Sequence, residues 1–182
     1  MTRTFSTLRF IPAALAGWVF LSLSAPTWAA QGTTPLFSQN FGDLQEEAAA
    51  AKEEKKIGVM IMFEQADCPW CDKMMNTVLN QAPVIDYYIK HFRSLQVDIK
   101  GDNPLTDFQG NSSTEKDFAF KHRVRATPVF AFFDPQGKLL TKYTGATRTP
   151  EEFILLGEFV ASGKYRNGNF TAYKRERGAP AK

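Results

Sequence analysis

Ile57 to Phe63 (IGVMIMF) is a short, almost unbroken apolar run. A run of that length without alternation predicts a strand buried on both faces, as at the centre of a sheet. Ahead of it, Asp43 to Lys56 is rich in Ala, Glu and Lys, which favour a helix, with Leu44 and Ala48 on its buried stripe. Behind it the period changes. Cys71, Met74, Met75, Val78 and Leu79 recur at i, i+3, i+4, i+7 and i+8, the apolar face of a helix packed inward. Trp70 and Lys73 fall off that stripe, so Trp70 is expected to be partly exposed. Glu64 to Asp67 is the turn that joins strand to helix.

Further along, Pro83 to Phe92 reads as a second helical stretch leading into a strand at Ser94 to Ile99. Lys100 to Ser113 is rich in Gly, Asn, Asp and Ser and is expected to be a long surface loop. Thr114 to His122 follows as a short helix with an acidic first turn. Val129 to Asp134 and Lys138 to Tyr143 predict two strands joined by the turn Asp134-Pro135-Gln136-Gly137. Thr149-Pro150 then caps and opens a helix whose packing face is Phe153, Leu156, Phe159 and Val160. The order β-α-β-α-β-β-α after a leading helix predicts an α/β fold, a mixed sheet with helices on both faces.

The N-terminus changes the picture of where the chain works. Arg3 and Arg9 precede an apolar stretch from Phe10 to Leu23, and Thr27 and Ala29 stand where an export signal cleaved after Ala29 needs small residues. The stretch is shorter than a comfortable membrane span. The expected organisation is a signal peptide over 1–29, a flexible leader over 30–42, one domain over 43–163 with an inserted loop at about 100–113, and a basic tail over 164–182. The alternative is an uncleaved signal serving as an inner-membrane anchor. The bacterial character of the signal points to the periplasm, where disulfides persist.

The formal net charge is only +3, and losing Arg3 and Arg9 brings it closer to balance. The remaining basic character gathers at Lys164, Arg166, Lys174, Arg175, Arg177 and Lys182. A solvated tail is the reading preferred to a nucleic-acid contact, so no nucleic-acid partner is expected. The sequence shows no Gly-rich phosphate loop and no internal repeat, and it leaves the oligomeric state open.

The two cysteines of the chain stand three positions apart in Cys68-Pro69-Trp70-Cys71. If Cys68 caps the helix and Pro69 opens it, Cys71 lies one turn on, and the helix terminus favours a thiolate on Cys68. That pattern points to thiol–disulfide exchange. Three other readings stand beside it. A structural disulfide would close a very short loop and gain little. Half of a zinc site would need further ligands, and His91 and His122 are distant in sequence, so no metal is expected. Inert buried thiols are the third. In the exchange reading Cys68, at an exposed helix start, is the nucleophile, and Cys71 resolves from the packed stripe.

The apolar strand, the Cys68-Pro69-Trp70-Cys71 motif, the segment Val124-Arg125-Ala126-Thr127-Pro128, the closing hairpin and Gly145 resemble the thioredoxin superfamily over about Asp43 to Ser162. Within it the chain is similar to periplasmic SoxW-type thioredoxins, which share a Phe-Glu approach to a Cys-Pro-aromatic-Cys motif and an ending like Phe159 to Tyr165. The resemblance implies a thioredoxin fold and a cis Thr127–Pro128 bond facing the cysteines, so that Thr127, Pro128, Pro69 and Trp70 bind substrate. It implies a disulfide-bearing periplasmic partner, a membrane thiol carrier as electron donor and no cofactor. A role in bacterial sulfur-compound oxidation belongs to the same resemblance.

The superfamily's buried aspartate, six positions before the first cysteine, is Met62 here. Glu64 stands as a candidate substitute for proton transfer, against the reading of a solvated turn residue. A reducing or isomerising role is preferred to that of an oxidant, since the large helical insertion of the periplasmic oxidants is missing. A non-catalytic binding module is the rival from another class.

Overall fold

The structure, a computed structural model, describes residues 35–39 and 42–178. The expected signal peptide therefore lies outside the described residues. The chain folds as an α/β thioredoxin fold, with a mixed four-stranded sheet between two layers of helices. Helix α1 (Leu44–Glu53) precedes β1 (Gly58–Glu64), α2 (Pro69–Thr77), α3 (Ala82–His91) and β2 (Phe92–Asp98). A small ladder of β3 (Pro104–Thr106) and β4 (Ser112–Thr114) comes next, then α4 (Glu115–Lys121), β5 (Val129–Phe133), β6 (Leu139–Thr144), α5 (Pro150–Ala161) and α6 (Phe170–Glu176). The main sheet runs β2-β1-β5-β6, with β1 parallel to β2 and antiparallel to β5.

Strand β1 is buried on both faces, and its alternation divides the core. Met60 and Met62 join Phe130, Phe132 and the side chains of α2, α3 and α5. Val59, Ile61 and Phe63 face the other way, toward α1, α4, Ala131 and Phe133. Where β1 begins, the backbone of β5 comes so close that a Cβ on Gly58 would lie 1.9 Å from the Phe133 carbonyl oxygen.

Four sequence expectations are corrected. Leu36, in the expected flexible leader, is only 6% exposed and packs in the core. The leader is held there by Ser38 N–H donating to the Ser94 carbonyl at 2.9 Å, because β2 is the edge strand and has a carbonyl to spare. The expected surface loop at 100–113 is a closed hairpin. Asp107 accepts hydrogen bonds from the Gln109 and Asn111 amides and from Lys121, while Leu105 and Phe108 are buried. Its carboxyl is held well below the usual range; burial alone would raise it, but the bonds from Lys121, Asn111 and Gln109 outweigh that.

Met75 is exposed rather than packed: within α2, which ends at Thr77, only Cys71 and Met74 are buried, so the apolar stripe is narrower than the spacing suggests. Val78 and Leu79 reach the core from the turn that follows, so the helical period fails after Met74.

The expected basic tail after Gly163 is a single 3-10 turn followed by α6. Phe170 and Tyr173 are buried against Phe159, at ring separations of 5.8 and 5.4 Å. The basic groups there are partly consumed. Lys174 pairs with Glu152 at 2.6 Å and Arg177 with Glu158 at 3.1 Å. Ring stacking and a buried ion pair thus bring a segment that looks solvated by composition into the domain. Phe170→Ala is expected to destabilise the protein by about 3 kcal/mol, read as a lowered urea midpoint; a change within about 0.5 kcal/mol would mean that α6 is not part of the cooperative unit.

Candidate active site

The C-terminal end of β1 delivers the motif. Asp67, with φ of 60°, turns the chain in the left-handed region, which aspartate tolerates better than most residues. Cys68 follows as the N-cap of α2, in extended geometry, and Pro69 opens the helix. The Cys68 carbonyl accepts from the amides of Cys71 and Asp72, and its Sγ accepts from the Cys71 amide at 3.2 Å. Cys68 and Cys71 are joined by a disulfide across 5.2 Å between Cα atoms. Their exposures are 5% and 4%. The expected difference between an exposed Cys68 and a packed Cys71 is therefore absent, and what distinguishes Cys68 is the set of donors around its sulfur.

The second of those donors comes from across the fold. Thr127 Oγ1 donates to Cys68 Sγ at 3.2 Å. The Thr127–Pro128 peptide bond is cis, and the Pro128 carbonyl is held by Gly145 N–H at 2.9 Å. Among the described residues neither the N–H nor the C=O of Thr127 makes a hydrogen bond. Beside the disulfide Trp70 is 58% exposed, with Lys73 Nζ 5.1 Å from its ring centre. Beneath it, buried Met74 receives a hydrogen bond from Thr147 Oγ1.

Glu64 is half-buried at the end of β1. Strand alternation puts it on the same face as Met60 and Met62, the face that carries both cysteines. Its carboxyl pKa is raised by burial first, then by the charges of Asp98, Glu115 and Asp72. Asp98 is its register partner on β2, and Glu115 accepts from the Asp98 amide. Parallel register and the return of α4 bring these carboxylates together, and neither can be read from local sequence. Glu64 hydrogen-bonds neither sulfur. His91 packs at a tilt against Tyr87, and His122 lies against Phe118 and Phe133. Among the described residues no group of three His, Cys, Asp or Glu is placed to hold a metal ion.

A family described as the thioredoxin-like domain matches residues 44–161. The chain belongs to that family. Three solved structures among those similar in fold illustrate the likeness. A thioredoxin-fold protein from Helicobacter pylori is 21% identical with a TM-score of 0.59, covering 81% of this chain and 95% of its own. A DsbH oxidoreductase is 18% identical at a TM-score of 0.52, covering 73% and 92%. A putative disulphide-isomerase from Bacteroides thetaiotaomicron is 22% identical, also at 0.52, covering 72% and 96%. No curated protein matches the chain. At these identities the likeness is one of fold, so the chemistry of this thioredoxin-like domain has to be argued from its own residues. Among those described, no helix is long and apolar enough to cross a membrane.

Proposed function

We propose that the protein is a periplasmic thiol–disulfide oxidoreductase that reduces or isomerises disulfides of partner proteins. The observation that carries this reading is the Cys68–Cys71 disulfide at the start of α2, with Thr127 hydrogen-bonded to Cys68. Two donors converge on the Cys68 sulfur and the helix terminus lies behind it, an environment that favours a thiolate once the pair is reduced. Pro69, Trp70, Thr127 and Pro128 form the docking surface, the Thr127 backbone pairing with an extended partner segment.

The Cys68 thiolate attacks one sulfur of the partner disulfide. That S–S bond breaks, the partner's other sulfur leaves as a thiolate and takes a proton, and a mixed disulfide forms. Cys71 loses its proton, attacks Cys68 Sγ and breaks the mixed bond. The partner departs with both sulfurs reduced, and two electrons have passed to it from the Cys68–Cys71 pair. The sulfurs carry those electrons themselves, so no cofactor takes part. Outside the cytoplasm the pair must be re-reduced by a membrane dithiol carrier. Assignment to the SoxW type, and to sulfur-compound oxidation, rests on the Phe63-Glu64 approach and the Pro-aromatic motif. Export rests on the pattern of residues 1–29.

In this mechanism Glu64 takes the Cys71 proton. Its raised pKa brings it nearer to that of a thiol than an ordinary carboxylate is. Glu64→Gln is expected to slow release of the mixed disulfide and to remove one ionisation from the pH profile of exchange. An unchanged profile would leave Glu64 as a solvated turn residue.

The trap is the direct test of the exchange chemistry. Cys71→Ala should accumulate mixed disulfides in the periplasm, and Cys68→Ala should not; the reverse pattern would exchange the two roles, and none in either would leave a binding module. The reduction potential decides direction. A value near or below about −230 mV, by equilibration with glutathione, is expected of a reductant, whereas about −120 to −150 mV would make the protein a disulfide donor.

A further inference from the structure

The segment that carries Thr127 leaves α4 through an unusual residue. Arg123 has φ of 56°, its amide donating to the Phe120 carbonyl and the Val124 amide to that of Ala119. This left-handed helix ending is one that glycine normally occupies. Lys55 closes α1 with the same φ and the same hydrogen-bond pattern, so the backbone explains neither residue's charge, and what matters is where the Arg123 side chain sits.

The Arg123 and Arg125 side chains are exposed, and neither makes an ion pair or hydrogen bond among the described residues. Lys142 adds a third cation, its Nζ donating to the His122 carbonyl at 2.5 Å with no carboxylate partner. Lys121 is nearby but is paired with Asp107 at 2.7 Å. The local field registers on His122, whose pKa is pushed down to about 4 by burial first and then by Lys121 and Lys142. Beside these cations Phe120 is 80% exposed and belongs to neither core cluster. An exposed ring on the same short stretch as unpaired cations leaves both open to a partner.

The position of Arg125, at the end of this basic segment nearest the cysteines, is what gives it a role. Arg125 lies two residues before Thr127, within about 7 Å along the chain, and the Thr127 hydroxyl touches Cys68 Sγ. The residues around the cysteines themselves differ in sign. Asp67 and Asp72 flank the cysteines, and Lys73 is drawn over Trp70. A partner segment lying along the unpaired Thr127 backbone therefore passes the Arg125 guanidinium.

We propose that Arg125, with Arg123, is a specificity-determining residue that selects partner disulfides flanked by carboxylates on the strand paired with Thr127. The inference rests on the exchange activity proposed above and adds the chemistry of the substrate to it. Surface charges of this kind act mainly on encounter and on the choice of partner.

The test uses the reduced protein and two cyclic disulfide peptides that differ only in having Asp or Lys beside the attacked cysteine, with dithiothreitol as reference thiol. Relative to the dithiothreitol ratio, the protein should reduce the Asp peptide at least about fivefold faster than the Lys peptide at low salt. The preference should shrink in 0.5 M salt, where the Debye length falls to a few ångströms. Arg123→Glu with Arg125→Glu should bring the ratio to one or invert it, whereas Arg125→Lys should keep most of it. Rapid exchange with a ratio near one, or a preference that survives the double reversal, overturns the inference alone. Exchange with neither peptide overturns the underlying activity as well.

Discussion

Everything at the site depends on a strand that must be apolar on both faces. β1 lies between a parallel and an antiparallel neighbour, so its amides and carbonyls are consumed in the sheet and its side chains have no solvent side. Burying each large side chain on it contributes about 1.5–3 kcal/mol. A one-residue slip of register would exchange the two faces, sending Met60 and Met62 toward α1 and α4 and Phe63 toward α2. The pairing is therefore tightly specified. Because register fixes where β1 ends, it also fixes where Cys68 begins α2. The chemistry inherits its precision from packing rather than from contacts among the reactive groups.

That arrangement explains how one residue serves two ends. Cys68 is the N-cap of α2, a place where serine or aspartate usually stands, and its sulfur accepts the orphan amide of Cys71. The same amide that completes the helix also faces the reactive sulfur. Thr127 supplies a donor from a different part of the chain, 59 residues away, held in place because β5 pairs with β1 and begins immediately after Pro128. Shielding the sulfurs to about 5% exposure does not isolate them. Trp70 and the Thr127 backbone remain open around them, and in the proposed exchange these are the groups a partner would dock against.

Most of this was legible in the sequence because it follows from strong local signals. The unbroken apolar run gives β1, Thr149-Pro150 starts α5, and Asp134 to Gly137 turns β5 into β6. The Cys68 and Cys71 pair was plain from spacing. What escaped reading was set by tertiary contact. Phe170 and Tyr173 sit in a polar, basic stretch whose composition looks solvated, and the rings of Phe159 and Tyr143, with the Lys174–Glu152 pair, make it a helix of the domain. Asp107 lies in a stretch that looks like a loop, and it organises a hairpin through hydrogen bonds no composition reveals. Met75 kept the helical period but lies off the narrow face of α2 that Cys71 and Met74 bury.

The replacement of a deep acid by Met62 has a physical consequence for the proposed mechanism. At 0% exposure beside the sulfurs, Met62 adds packing where a carboxylate would be expensive to bury. Two residues on, Glu64 is half-buried at the rim, where desolvation is smaller, and neighbouring carboxylates contribute to its raised pKa. Asp98 is set opposite by register and Glu115 by the start of α4. Repulsion between like charges thus partly replaces burial as the means of raising an acid's pKa. A base of that kind depends on its neighbours staying ionised, so its proton affinity is a property of the strand ends as a group. The carboxylates that tune Glu64 come from β2, α2 and the start of α4, whereas the basic residues precede Thr127 between α4 and β5, so the charge around the site follows from the order of its strands and helices.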